Sequence, residues 1–288
     1  IKKPNYFIAH LITSLPIFIF NIFRFKTKLI LRISGYPKLN LLRRLFWKNS
    51  SNYIHFITCP SEELKKKLKK TKIFPENKVY FLQDAILDIK DFLQKKYENN
   101  LSHDFNLNQK YFLSIGRFSK QKNFQYLIKE FKLFKKKTKN KNIKLLIIGD
   151  GEEKNNLINI IKYSGLSDDV KLIERTENVY EFMRKSQAFI LPSLWEEVGF
   201  VIVEAALSNL FIISSDCPNG PKEFLDNGKA GLLFKSNLAG ELSNRLILYL
   251  NDRTNQMKKR KYSKLNCMKY TKFRHYKTFS KIIYENKV

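Results

Sequence analysis

Cysteine, glycine, proline and acid are all scarce in this chain, and each shortage removes a class of protein. The cysteines are Cys59, Cys217 and Cys267, scattered and without CxxC spacing. That argues against a disulfide framework and a zinc knuckle and fits a reducing cytoplasm. The four histidines form no metal-ligand cluster. There is no P-loop, no full G-x-G-x-x-G fingerprint and no D-x-D motif, so nothing points to a metal-held diphosphate. No repeat of solenoid length is visible. One long apolar run occurs, "YFIAHLITSLPIFIFNIF" at 6–23, but His10, Pro16 and Asn21 interrupt it and "RFKTK" follows. It reads as a buried strand followed by a core helix rather than a membrane span. Nor is it a secretory signal, because a charged start and a small-residue cleavage site are poorly formed. The chain begins at Ile1 in mid-pattern and reads as lacking its natural N-terminus.

Acid is outnumbered two to one. Lys and Arg total 54 against 26 Asp and Glu, a formal charge of +28. Such an excess attracts polyanions: nucleic acid, an anionic membrane surface, or phosphorylated small molecules. The bland alternative is a solvated lysine coat. Lys, Asn, Ile, Phe and Tyr are abundant together, the pattern of an AT-rich genome.

What is present is a core and an alternation. With 288 residues, 43% of them hydrophobic, the chain has enough apolar surface for two domains. Apolar strands are expected in "YFIAHLI", "KLILRIS", "YIHFITCP" and "KVYFLQD", and a helix capped by Ser61 in "SEELKKKLKK". Residues 91–110 are polar and weakly periodic, the best linker candidate. Strands and helices then alternate strictly from "KYFLSIGR" to "AGLLF". That pattern predicts a parallel sheet covered by helices on both faces. The expected division is 1–107, 108–250 and a basic helical tail over 251–288.

In parallel sheets ligands bind beyond the carboxyl ends of the strands. After the predicted strands come Gly116-Arg117, Gly149-Asp150-Gly151, Arg175-Thr176-Glu177, Pro192-Ser193 and Ser214-Ser215-Asp216. Arg117 and Lys122 stand five residues apart beside a glycine and a helix start, a sound diphosphate clamp. They also read as ordinary exposed cations. Gly149 and Gly151 let backbone approach a ligand. In "PSLWEEVGFVIVEAALSN", Glu196 precedes Glu204 by eight residues, with Gly199-Phe200 between them. Carboxylates accept hydrogen bonds from vicinal hydroxyls; the alternative is a solvated Glu196 and a Glu204 that merely favours its helix N-terminus. Cations for phosphates and carboxylates for hydroxyls together complement a nucleotide sugar.

The ordered motifs "SIGRFSKQKNFQYLI", "LLIIGDGEE", "ILPSLWEEVGFVIVEAALSN" and "SSDCPNGPKEFL" resemble the C-terminal domain of family 4 glycosyltransferases. The resemblance covers about residues 111–234. It implies the GT-B fold, two Rossmann-like domains with parallel sheets facing across a cleft, the N-terminal one incomplete here. It implies a retaining, metal-independent hexosyltransferase with no cofactor beyond its nucleotide-sugar co-substrate. By the same resemblance Arg117 and Lys122 bind the donor diphosphate, Glu204 the ribose and Glu196 the transferred sugar. Backbone amides at Gly199 and Phe200 reach the donor, and His10, after a strand, stands near the reacting sugar; a buried structural histidine is the alternative. Glu197 stands where the family often has Gly or Asp and receives no role.

The expected activity is transfer from a nucleotide sugar, UDP by default, to a saccharide or lipid-linked acceptor in envelope polysaccharide or lipopolysaccharide synthesis. The expected place is cytoplasmic, peripheral at the inner face of the cell membrane. Basic stretches such as "LKKKLKK" and "KKRKYSK" would meet anionic lipid there. Two alternatives remain: a glucan synthase or epimerase of the same fold, or a non-catalytic basic protein that binds membrane or nucleic acid. Dispersed lysines and the absence of an RNA-binding aromatic signature speak against nucleic acid.

Overall fold

The computed structural model describes residues 4–10, 13–98, 105–139, 142–176 and 178–286. The strands are β1 (Tyr6–His10), β2 (Lys28–Arg32), β3 (Ile54–Cys59), β4 (Val79–Phe81), β5 (Lys110–Ile115), β6 (Ile143–Ile148), β7 (Val170–Ile173), β8 (Ala188–Leu191), β9 (Phe211–Ser215) and β10 (Leu232–Phe234). Between them run α1 (Ser14–Phe23), α2 (Leu41–Asn49), α3 (Glu62–Lys70), α4 (Ile89–Lys95), α5 (Phe124–Thr138), α6 (Lys154–Tyr163), α7 (Tyr180–Lys185), α8 (Phe200–Leu207) and α9 (Gly220–Phe224). The chain ends with α10 (Glu241–Asn251), α11 (Arg253–Cys267) and α12 (Lys272–Glu285). These elements form two compact units, 1–84 with 273–288, and 85–272.

The first unit is a four-stranded parallel sheet in the order β1-β2-β3-β4. Strands β2 and β3 are buried along nearly their whole length, so side chains of both parities need apolar cover. On one face α1, α2 and α3 supply Ile17, Trp47, Leu64 and Leu68. On the other, Ile282 of α12 packs with Ile30, Phe56 and Leu82. The expected cap of α3 is present: Ser61 Oγ accepts from the Leu64 amide at 3.2 Å. Asn40 does the same for α2, which the sequence reading did not anticipate. The apolar run at 6–23 divides into β1 and α1, and no helix among the described residues is long and apolar enough to cross a membrane.

The second unit is a six-stranded parallel sheet in the order β10-β9-β8-β5-β6-β7. Alternate residues of one strand feed opposite cores. Tyr111, Leu113 and Ile115 of β5 pack with α7 and α8, while Phe112 packs with α5 and α10. From β5 the chain moves outward to β6 and β7, then crosses back and moves the other way through β8, β9 and β10. The point of reversal lies between β5 and β8.

Three expectations of organisation are corrected here. The boundary falls at 84/85, not 107/108. Within the span read as a linker, 91–110, residues to Lys95 belong to α4, whose cap Asp88 accepts from the amides of Lys90 and Asp91. Phe92 of that helix meets Tyr180 edge-on at 4.9 Å, and Phe105 and Leu107 are buried in the same core. Residues 99–104 lie outside the described residues. The basic tail 251–288 is not one body: α11 buries Cys267 in the second unit, and α12 returns to the first.

One buried carboxylate ties helix to helix. Glu130 on α5, 4% exposed, accepts from the amides of Gly240 at 2.8 Å and Ser243 at 2.9 Å, capping α10 from outside its own chain segment. Two orphan helix donors and an anion at a positive helix end depend on it. Glu130→Ala is expected to lower unfolding free energy by about 2 kcal/mol in urea denaturation. A loss below a few tenths would mean that water replaces the carboxylate.

Candidate active site

The site is best built from the gap between β5 and β8. Their backbone ladder runs through Phe112–Ala188 and Leu113–Phe189, and beyond it the Ser114 hydroxyl donates to the Ile190 carbonyl at 2.7 Å. Past that bond the strands deliver two loops, 116–123 and 192–199, to one edge of the sheet. Ligands bind in such sheets where the strand order reverses. The loops are joined to each other. The Leu194 amide donates to the Gln121 carbonyl at 2.8 Å, and Gln121 Nε2 donates to the Trp195 carbonyl at 2.8 Å.

Lys122 and Glu196 meet across this junction as an ion pair. Glu196 is only 7% exposed, so its charge needs that partner. Ser193 Oγ donates to the same carboxylate oxygen at 2.7 Å, and Ser215 Oγ donates to the Ser193 carbonyl at 2.6 Å, fixing the loop from β9. Glu196 also pairs through its backbone with Asn219 in the loop before α9. The stem of Lys122 lies over Gly116, where a Cβ would stand 3.2 Å from its methylenes. The glycine supplies the room in which the lysine reaches the glutamate. Gly199 opens α8 beside Glu196, and the first amides of a helix have no partner within it.

Gly149 has a different use from the one its motif implied. A Cβ there would sit 1.9 Å from the Gly116 carbonyl oxygen, so the glycine admits a neighbouring loop rather than a ligand. Gly116 and Phe118 bond to the carbonyls of Ile148 and Asp150, and the Glu153 amide bonds back to Phe118. The Gly-Asp-Gly turn braces the loop that carries Arg117 and Lys122.

The other expected site residues are placed less tightly. Arg117 points outward, 74% exposed along its side chain, and pairs with Glu152 at 3.1 Å. It does not join Lys122 in a ready-made clamp. Phe200, the first residue of α8, is exposed. Glu204 is in the body of α8 rather than at its start, half-buried, and no side-chain hydrogen bond reaches it among the described residues. Burial pushes its carboxyl up to about 7; Lys95 pulls it down and Asp91 pushes it up. His10 belongs to the first unit, is exposed, and shares a 2.6 Å hydrogen bond with Ser34, so it is not a buried structural histidine. Glu177 lies outside the described residues. Among those described, no three His, Cys, Asp or Glu side chains gather in a way that would hold a metal ion. Ser193 and Ser215 were read from the sequence at the strand ends but given no role, and Gln121 and Asn219 were not singled out; the "NG" turn at 219–220 was the available signal for the last.

A parallel sheet whose order reverses between β5 and β8, with charged loops at that edge, is an α/β domain of the kind in which ligands bind at the reversal. The chain belongs to the family described as glycosyl transferases group 1, whose model matches residues 96–266. It is 32% identical over 245 residues to an uncharacterised glycosyltransferase of Methanocaldococcus jannaschii, covering 77% of this chain and 58% of that protein. It is 31% identical over 156 residues to the N-acetylgalactosamine-N,N'-diacetylbacillosaminyl-diphospho-undecaprenol 4-alpha-N-acetylgalactosaminyltransferase of Campylobacter jejuni, covering 54% of this chain and 40% of that one. The chain thus spans about half the length of the curated relatives it matches. Among solved structures, Anabaena HepE in complex with UDP superposes with a TM-score of 0.76 at 14% identity, covering 96% of this chain and 78% of that chain. At that identity the likeness establishes the fold, two parallel α/β sheets of the GT-B type, as the motifs implied.

Two outcomes follow from the electrostatics. Lys122→Met strands a buried carboxylate and is expected to cost about 3 kcal/mol in denaturant unfolding. Lys122→Met/Glu196→Gln, which removes both charges, is expected to cost less than half of that; equal costs would show that the pair is not coupled. For Glu204 the raised value penalises the ionised form in the folded chain. Its contribution is therefore full below its ordinary value of 4.5 and is lost as pH rises through about 7. Glu204→Gln should stabilise the protein at pH 8 by about 2 kcal/mol relative to its effect at pH 4, allowing for partial exposure. A pH-independent effect in thermal or urea unfolding would refute the assignment.

Proposed function

We propose that this chain carries the donor site of a retaining, metal-independent family 4 glycosyltransferase. The sugar would pass from a nucleotide donor, UDP-linked, to a saccharide or lipid-linked acceptor of an envelope polysaccharide. The observation that carries this reading is the Lys122–Glu196 pair at the reversal point of the sheet, beside the start of α8. A diphosphate needs a cation and free amides; a sugar ring needs hydroxyl acceptors. Lys122, Glu196 and the start of α8 supply one group of each kind at that edge. Lys122, the α8 amides from Gly199 and Phe200, and a swung-in Arg117 would hold the diphosphate. Glu204, free of hydrogen-bonded partners among the described residues, would accept from the ribose hydroxyls. Glu196 would take hydroxyls of the transferred sugar once Lys122 turns to the phosphates. On the family resemblance, His10 would serve the reacting sugar.

In the reaction the bond between the anomeric carbon and the leaving phosphate oxygen breaks. A bond from that carbon to the acceptor oxygen forms on the same face, and the acceptor proton passes to the leaving phosphate. Lys122 and the helix start lower the cost of the charge that develops on that phosphate, a preorganised electrostatic effect. The relatives named for undecaprenol-linked saccharide, amylovoran, O-antigen and capsular polysaccharide synthesis support the envelope acceptor, and the UDP-bound neighbour supports the base.

Thermal unfolding with UDP, GDP and ADP tests the donor site without requiring turnover. UDP at ~100 times its dissociation constant should add roughly 2.7 kcal/mol of stability to the wild type. Arg117→Ala, exposed and outside the core, should remove most of that shift while leaving the ligand-free midpoint unchanged. If none of the three nucleotides moves the midpoint of the folded protein, the donor-site reading fails.

A further inference from the structure

The basic stretch "KKRKYSK" lies on α11, and the structure sorts its cations by direction. Lys259 turns inward and donates to the Gly228 carbonyl, and Ser263 and Cys267 are buried on the same side. The outer side is different. Arg253, Met257, Lys261, Lys264, Leu265 and Met268 recur at helical spacing and line one surface groove of about 660 Å³. Met257 is 76% exposed and Leu265 60%, high values for apolar side chains on a helix this charged.

Along α11 itself, Arg253–Cys267, the sequence has six Lys and Arg and no Asp or Glu. Elsewhere in the same unit lysines meet acids: Lys135 and Lys144 share Asp169, Lys154 meets Glu174 and Lys185 meets Glu181. The other basic stretch, "LKKKLKK" on α3, is also ion-paired, through Lys65 and Lys67 to Glu62 and Glu63. Among the described residues Arg253, Lys261 and Lys264 make no ion pair.

We propose that the outer face of α11 is a docking surface for an anionic lipid bilayer. Its cations would meet lipid phosphates, while Met257, Leu265 and Met268 enter the boundary between headgroups and acyl chains. A basic helix with apolar side chains interleaved on its outer face suits that interface. Nucleic acid would use the cations and leave the exposed Met and Leu without a partner. The proposal is independent of the transferase reading: it concerns the outward side of a helix whose inward side packs on α8 and β9.

The test is flotation of the full chain with vesicles of phosphatidylcholine alone or mixed with phosphatidylglycerol. Wild type should bind the mixed vesicles and leave the neutral ones. Arg253→Gln/Lys261→Gln/Lys264→Gln should weaken that binding about a hundredfold, with an unchanged unfolding midpoint. Met257→Ser/Leu265→Ser keeps every charge and should weaken it about tenfold. The comparison variant is Lys129→Gln/Lys132→Gln/Lys136→Gln on the exposed side of α5, which removes as many charges and should change binding by less than about threefold. Equal losses in the α5 and α11 charge variants would overturn the proposal in favour of diffuse attraction to a basic protein. No binding to mixed vesicles would overturn it outright. So would a serine variant that binds as wild type while duplex DNA competes the protein off the vesicles, which would assign the face to nucleic acid.

Discussion

A carboxylate held almost out of water must be hydrogen-bonded or paired, and at the candidate site the Lys122–Glu196 pair meets that demand. The two residues stand 74 positions apart and are brought together by two loops that leave the sheet on either side of its reversal. Nearly every nearby feature serves the meeting. Gly116 makes room for the lysine stem, Ser193 donates to the glutamate, Ser215 fixes Ser193, and the turn at 149–151 braces the loop from behind. Replacing such a pair by apolar residues is often neutral for stability, so its presence is weak evidence for a stabilising role. A pair whose lysine can be drawn away by a stronger anion is useful for another reason. On the proposed reading, the arriving diphosphate takes the lysine and frees the glutamate for hydroxyl donors. The ligand-free ion pair would then be the resting state of the site.

The second unit was largely legible in the sequence because its strands are short apolar runs closed by glycine, serine and charge. Periodicity located β5 to β10 and the helices between them, and the order of the loops placed both glutamates and both cations at one edge. Contacts were not legible. Sequence pattern assigns Gly149 to a tight approach but cannot say what approaches, and here it is the Gly116 carbonyl. Helix α4 escaped because its apolar anchor, Phe92, is embedded in a polar, lysine-rich segment and packs on a partner, Tyr180, that lies far along the chain. The unit boundary escaped for a related reason. Composition is local, whereas α12 is assigned to the first sheet by Ile282 meeting Phe56, more than two hundred residues away.

The net charge of +28 was the least interpretable number in the sequence, and the structure divides it. Part of it is a solvated coat in which lysines such as Lys65, Lys67 and Lys95 find acids at i,i+3 or i,i+4 on their own helix, pairs worth only tenths of a kcal/mol. A smaller part is placed. Lys135 and Lys144 hold Asp169 from two elements and keep its carboxyl below the ordinary range despite burial that pushes it up. The cations on the outer face of α11 belong to neither group: Arg253, Lys261 and Lys264 alternate with exposed methionine and leucine and make no ion pair among the described residues. Charge of equal sign therefore carries three meanings in one chain, and only the neighbours of each residue tell them apart.

The two glutamates of the signature show the same rule at closer range. They are eight residues apart, but their surroundings differ. Glu196 is nearly buried and has a lysine and a serine on its carboxylate. Glu204 is half-buried on a helix with no bonded partner among the described residues, so desolvation lifts its carboxyl to about 7. The difference arises from geometry, not from residue type. Glu196 lies in a loop that reaches the cation after β5, whereas Glu204 is carried on α8, where Lys95 and Asp91 act on its carboxyl. A single turn of α8, opened by Gly199, separates the two environments.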